Sequence, residues 1–230
     1  MTGNTLGFLS AGTTAFQLYI HGQMPSLVSN LKAEGYSGNK AMHPFNPYNY
    51  NRPAVYKDFG FTDFIDKFDF PKNVKRVREY ISDEANVDRI ISEYEKNRKK
   101  TDQPFYMYNM TIQNHSPYDK DAANFKQPIK IESSKYDAEA NRYLNLIKYS
   151  DDSLKQLTGY FEKCKEPTII LFLGDHQPRL TDEFMNKITN GQYQTWSSEQ
   201  MMKRYQVPFV IWANYDIKEQ HIEKTSMNYI

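Results

Sequence analysis

The chain has 230 residues, enough for one large domain or two small ones with a substantial buried core. Its 29 Lys and Arg nearly balance 28 Asp and Glu, so no global field draws it to nucleic acid or an anionic membrane, and any phosphate recognition is local. One cysteine, Cys164, excludes an internal disulfide and a cysteine-built zinc site but leaves the compartment open. No stretch approaches the roughly 18 consecutive apolar residues of a membrane span, and Met1 is not followed by a basic and then apolar leader, so the chain as given reads as soluble and untargeted. The 18 Tyr and 14 Phe suit sugars and polyols, and equally suit ordinary half-buried surfaces.

In chain order, Pro25 to Glu34 predicts a helix, with Met24, Leu27, Val28 and Leu31 spaced along one face and Gly35 to stop it. Gly38 to His43 reads as a short buried strand. Asp83 to Lys99 predicts a helix with Val87, Ile90, Ile91 and Tyr94 on one face, followed by a second buried strand from Phe105 to Ile112. The polar stretch Ser116 to Ser134 has no clear period and reads as a long surface loop. Lys135 to Lys163 is a long amphipathic helix carrying Tyr143, Leu144, Ile147, Leu154, Leu157 and Phe161. The strands Thr168 to Gly174 and Val207 to Ala213 follow, with a weaker helical pattern from Ser197 to Tyr205 between them. No repeat, low-complexity tract or long linker divides the chain, so residues 1–230 are expected to form a single domain.

Strands alternating with helices imply an α/β fold with a largely parallel sheet covered on both faces, and such sheets bind ligands beyond the carboxyl ends of their strands. Three of the five histidines fall at predicted strand ends: His43, His115 and His176. In LFLGDHQP, Asp175 and His176 supply oxygen and nitrogen donors suited to a divalent ion, and a turn at Gly174 would let both converge; alone, the tripeptide reads as a surface turn, but its place at the end of a buried strand opposite other strand-end histidines puts the metal reading ahead. In MTIQNHSPY, His115 is placed to donate to a phosphoryl oxygen or protonate a leaving alkoxide, or else to satisfy loop carbonyls. In HPFNPYNYNRP, Arg52 has the planar fork for phosphate while Tyr48 and Tyr50 can stack on a polyol; a surface cation beside Asp58 or another carboxylate is the plainer account of Arg52. His43 is equally a core histidine or a pocket residue. The run Lys96 to Lys100 reads as the solvated end of a helix, and Asp151 with Asp152 as structural.

The order of these motifs, from GNTLGFLSAGTTAFQLYI through NYNRP, QNHSPY and LFLGDHQP to VPFVIWAN, resembles the lipoteichoic acid synthase-like branch of the alkaline phosphatase and sulfatase superfamily. The resemblance implies a three-layer α/β/α fold and an enzyme that moves a phosphoglycerol unit from a phosphatidylglycerol-type lipid to a glycerol phosphate polymer or a glycolipid. It implies a threonine nucleophile, a phosphothreonine intermediate and a divalent ion, usually Mn²⁺, with Mg²⁺ or Zn²⁺ as alternatives. Carried onto this chain, Asp175 and His176 would be metal ligands and His115 the catalytic, phosphate-side histidine. Arg52, His43 and Tyr50 would bind substrate.

In that family the nucleophile lies just ahead of the stretch matching GNTLGFL, with a metal-binding glutamate further upstream. Thr2, Thr5, Thr13 and Thr14 lie in or after that stretch, and none is nominated. The expectation is therefore a C-terminal portion of an outward-facing catalytic domain that belongs to a membrane-anchored parent. By itself it would be soluble, without turnover, weak in manganese binding and prone to self-association through an exposed strand edge. The rival readings are a sulfatase or phosphodiesterase of the same superfamily, distinguished by its upstream nucleophile, and a tyrosine-rich domain that binds cell-wall polymer without catalysis.

Overall fold

The computed structural model describes residues 9–10, 13–132, 136–189, 191, 195–226 and 229; Thr2, Thr5 and most of the GNTLGFL stretch lie outside the described residues. In chain order the elements are α1 (Ala15–Leu18), α2 (Leu27–Ala33), β1 (Ser37–Met42), α3 (Arg52–Asp58), β2 (Asp63–Ile65), β3 (Arg76–Val77) and β4 (Tyr80–Ile81). There follow α4 (Asp83–Arg98), β5 (Phe105–Asn109), α5 (Ala138–Phe161), β6 (Ile169–Leu173), α6 (Asp182–Thr189), α7 (Ser198–Met202) and β7 (Phe209–Ala213). The chain divides into two compact units, each made of separated stretches of sequence. Residues 1–74, 88–112 and 218–230 form the first, and residues 75–87 and 113–217 the second.

In the first unit, Ser26 starts α2 by accepting from the Ser29 backbone N–H at 3.1 Å, and its own hydroxyl donates to the Phe59 carbonyl at 2.6 Å. The helix ends before Gly35, which takes a φ of +86°. The next turn enters β1, which pairs in parallel with β2 on one side and β5 on the other. Gly38 is needed there: its φ is +64°, and a Cβ would stand 2.5 Å from the Phe105 ring. Behind the sheet, Val28, Ala41, Val55, Tyr56, Phe59 and Phe61 form the buried cluster, with Tyr106 and Tyr108 packed against it. Tyr56 meets Phe64 edge to face at 5.0 Å, so part of the tyrosine content is core. Tyr48 and Tyr50, by contrast, are 78% and 50% exposed.

In the second unit, β3 and β4 form a short antiparallel pair. The stretch after Ser116 is regular in neither helix nor strand, yet it is not a free surface loop. Tyr118 and Phe125 are buried with Val77 and Leu146. Two asparagines inside α5 explain how such a loop is held. The Asn145 carboxamide accepts from the Ile129 N–H at 2.9 Å and donates to its carbonyl at 2.8 Å, and Asn141 accepts from the Ile131 N–H at 2.9 Å. These side chains stand in for a neighbouring strand and satisfy backbone groups that burial would otherwise leave unpaired.

The strands predicted around residues 168–174 and 207–213 are present as β6 and β7, but they pair with each other antiparallel, Ile169 opposite Ala213 and Leu173 opposite Phe209. All ten of their residues are apolar, the pattern of strands covered on both faces. Here Ile169, Leu171, Val210 and Ile211 remain exposed. The parallel sheet of β2, β1 and β5 with its helices gives the chain its α/β character.

Candidate functional site

His43 follows β1 directly and is buried; its backbone N–H donates to the Ile65 carbonyl at 2.9 Å and its Nδ1 lies 3.0 Å from the Met110 carbonyl oxygen. That contact ties the end of β1 to the residue just beyond β5. Past His43, Tyr50 and Asn51 both take left-handed backbone, with φ of +61° and +53°. Two consecutive non-glycine residues there are costly, about 1–3 kcal/mol each, so the surrounding structure must hold them. The result is a sharp entry into α3 that puts the Arg52 guanidinium carbon 4.9 Å from the Tyr50 ring centroid.

Arg52 is only 8% exposed, and one of its terminal nitrogens donates to the Asn49 carbonyl at 3.1 Å. It forms no ion pair with Asp58 or any other carboxylate among the described residues. The guanidinium is thus buried, set against the Tyr50 ring and without a carboxylate partner among the described residues.

In the second unit, His115 is exposed, with Nδ1 at 2.7 Å from the Ser116 carbonyl oxygen and its ring edge-on to Tyr80. A carbonyl only accepts, so Nδ1 carries the proton and Nε2 is the nitrogen left for chemistry. Sequence reasoning overlooked what shapes this segment. Arg78 is buried at a φ of +55°, and its guanidinium donates to the carbonyls of Gln113 at 2.6 Å, His115 at 2.8 Å and Pro117 at 2.5 Å. The rings of Tyr80 and Tyr118 lie 5.2 and 5.8 Å from it. Nothing in the local string Arg76 to Tyr80 marks this role, because the three acceptors lie 35 to 39 positions away.

A second network braces the same segment. Ser150 donates to Asp83 Oδ2 at 2.6 Å, Asn114 donates to Ser150 at 2.8 Å, and Gln113 accepts from the Asp83 N–H at 3.0 Å. Burial pushes the Asp83 carboxyl up to about 6, against the opposing pull of the Ser150 hydroxyl. A carboxyl whose folded value is raised adds stability below its ordinary value of 3.8 and loses it as pH climbs through about 6. Urea denaturation should therefore show the wild type losing stability relative to Asp83→Asn as pH rises from about 4 to 6, by about 1–3 kcal/mol, with no further change above. A constant difference across that range would refute the assignment.

Close packing rather than dihedral freedom favours glycine at Gly174: a Cβ there would lie 3.2 Å from Val207 Cβ, a tight contact. Beyond it, Asp175 Oδ1 accepts from the His176 N–H at 3.0 Å, and Asp175 Oδ2 lies 3.8 Å from His176 Nε2. His176 Nδ1 faces the Gln177 carbonyl oxygen at 2.8 Å, so Nε2 presents a lone pair beside the carboxylate. Gln177 pins the turn by donating to the carbonyls of Lys203 and Gln206 at 2.7 and 2.9 Å. The Asp175 charge reaches Tyr118 and Tyr143, where it adds to burial in raising both phenols.

This donor pair fits part of a divalent-ion site: an imidazole with its tautomer set and a neighbouring carboxylate, both exposed. No group of three or more His, Cys, Asp or Glu side chains converges among the described residues. The structure thus brings Tyr50 to Arg52 and Asp175 to His176, with His43, Tyr50 and Arg52 in the first unit and His115, Asp175 and His176 in the second.

The sulfatase family model matches residues 8–229, and the chain belongs to that family. It is 33% identical over 222 residues to a putative cyclic beta-1,2-glucan modification protein of Rhizobium meliloti, covering 93% of this chain and 33% of that protein. It is 27% identical over 183 residues to the lipoteichoic acid synthase of Staphylococcus aureus, covering 75% of this chain and 26% of that protein. Among solved structures, the lipoteichoic acid synthase LtaP from Listeria monocytogenes superposes with a TM-score of 0.68 at 22% identity, over 88% of this chain and 49% of that one. The fold is alkaline phosphatase-like, and the chain spans about a third or less of the length of these curated relatives.

Proposed function

We propose that this chain is part of a metal-dependent phosphoglycerol transferase of the lipoteichoic acid synthase-like branch. The reading rests on Arg52, a buried guanidinium with no carboxylate partner among the described residues, stacked on an exposed tyrosine. Its fork suits two oxygens of a phosphate, while the Tyr50 face suits the glycerol carbons. His43 lines the same strand end. His115 Nε2, once protonated, donates to a phosphoryl oxygen or gives its proton to a leaving alkoxide.

Asp175 and His176 would hold a divalent ion, with Mn²⁺ the leading candidate. Bound there, such an ion supplies charge stabilisation at the phosphoryl group and favours an alkoxide nucleophile. No residue of this chain is assigned as that nucleophile. In the full-length protein the donor would be a phosphatidylglycerol-type lipid and the acceptor a glycerol phosphate polymer or glycolipid, met at the outer face of the cell membrane. None of the described helices is long and apolar enough to cross a membrane.

Calorimetric titration of sn-glycerol 1-phosphate, with Mn²⁺ present, tests the proposal. Arg52→Ala is expected to weaken binding about tenfold or more, and Asp175→Ala with His176→Ala to remove the manganese dependence. Unchanged glycerol phosphate affinity in Arg52→Ala would sink the reading.

A further inference from the structure

The first unit contains a cavity of about 220 Å³ lined by Lys40, Arg89, Glu93, Lys96, Asn97, Lys100 and Phe105. It lies away from the strand end that carries His43. Phe105 is the first residue of β5, and about 10 Å of extended strand separates Lys40 from His43. Its electrostatics are one-sided. Glu93, itself 4% exposed, is met by Lys40 at 2.8 Å, Lys96 at 3.0 Å and Arg89 at 3.1 Å. Asp63 adds a second carboxylate to Lys40 at 3.3 Å, while Lys100 has no acidic partner among the described residues. Four cations thus face two carboxylates, one of them outside the cavity wall.

A single carboxylate cannot neutralise that many ammonium and guanidinium groups converging on one concave space. The surplus repels itself unless an anion enters, and low-dielectric walls strengthen the attraction for that anion. The volume lies below the roughly 300 Å³ at which drug-sized ligand sites begin, so it suits a small group. Cations approaching from β1 and from successive turns of α4 match a group with several oxygens rather than a flat carboxylate.

We infer that this cavity is a second anion site, which takes a phosphate group through Lys96, Lys100, Lys40 and Arg89. The KNRKK run, which by its sequence reads as a solvated helix end, then supplies two of the ligands. The phosphate could belong to a small phosphorylated compound or to a phosphodiester or polyphosphate chain, and the test has an arm for each.

The ¹⁵N-labelled chain would be titrated with inorganic phosphate at ionic strength held constant by chloride, with amide shifts recorded. Saturable shifts are expected at residues 38–40 and 93–105, with affinity reduced about tenfold in the double variant Lys96→Gln, Lys100→Gln, whose side chains are exposed. In Arg52→Ala the shifts at residues 38–40 and 93–105 should persist with wild-type affinity, which separates this site from the candidate active site. Linear polyphosphate binding more tightly at the same residues identifies a polymer as the source, and equal affinity per phosphate identifies a small compound. Shifts that do not saturate, that persist unchanged in the double variant, or that centre on Arg52 and vanish in Arg52→Ala would overturn the inference.

Discussion

Arg78→Ala is expected to cost about 3–5 kcal/mol of stability, the range for removing one partner of a buried charged network. The guanidinium serves three carbonyls at once, those of Gln113, His115 and Pro117, and no water-exposed route replaces it because the side chain is 9% exposed. Deleting it leaves buried acceptors unpaired and removes the cation from between Tyr80 and Tyr118. Arg78→Lys keeps the charge but has no planar fork to span the three oxygens, so it should recover only part of the loss. Urea denaturation followed by circular dichroism reads the stability. Amide exchange of residues 113–118 reads the segment itself and should accelerate in both variants. A loss under about 1 kcal/mol for Arg78→Ala would mean that the carbonyls find other donors.

Glu93→Ala should be nearly as damaging, at roughly 3 kcal/mol, for the opposite electrostatic reason. The variant strips the one buried carboxylate from among Lys40, Arg89 and Lys96 and leaves three cations facing one another. The wild type carries the same information in its pH dependence. Although burial opposes ionisation, the Lys40 and Lys96 hydrogen bonds and the nearby charges hold the Glu93 carboxyl down at about 2, against an ordinary 4.5. A depressed folded value means that the contribution is complete above 4.5 and lost as pH falls toward about 2. Acid titration of stability should therefore be steeper in the wild type than in Glu93→Gln over that window. Parallel curves would show that Glu93 is not held by its cations.

Local pattern carried much of the fold. The glycine after α2 marks the end of that helix, and the spacing of apolar residues marks α4 and α5 to within a few positions. Short apolar runs located β1, β5, β6 and β7. Missed were short elements, among them α3 and α6, whose seven and eight residues leave little room for a helical period, and β2, whose three residues are too short to carry one. The same logic explains the loop after Ser116. Its polar composition is real, but Asn141 and Asn145 lie inside a helix where a sequence reading treats them as weak helix formers, and only their bonds to Ile129 and Ile131 explain them.

By itself the sequence determined the class of elements, the place of His43 and of Asp175 with His176 just beyond strands and, through the order of its motifs, the sulfatase family. These are properties of near neighbours along the chain, where side-chain period, capping and turn chemistry act over a few residues. The tertiary structure decided that β6 and β7 run antiparallel, that Arg78 clasps the His115 segment, that Arg52 has no carboxylate partner among the described residues, and that Lys40 joins Arg89 and Lys96 of α4 around Glu93. Each of these depends on which groups burial brings together across tens of residues. Pairing of that kind is selected by the desolvation cost of leaving a polar group alone, a cost that exists only once the chain has closed around it.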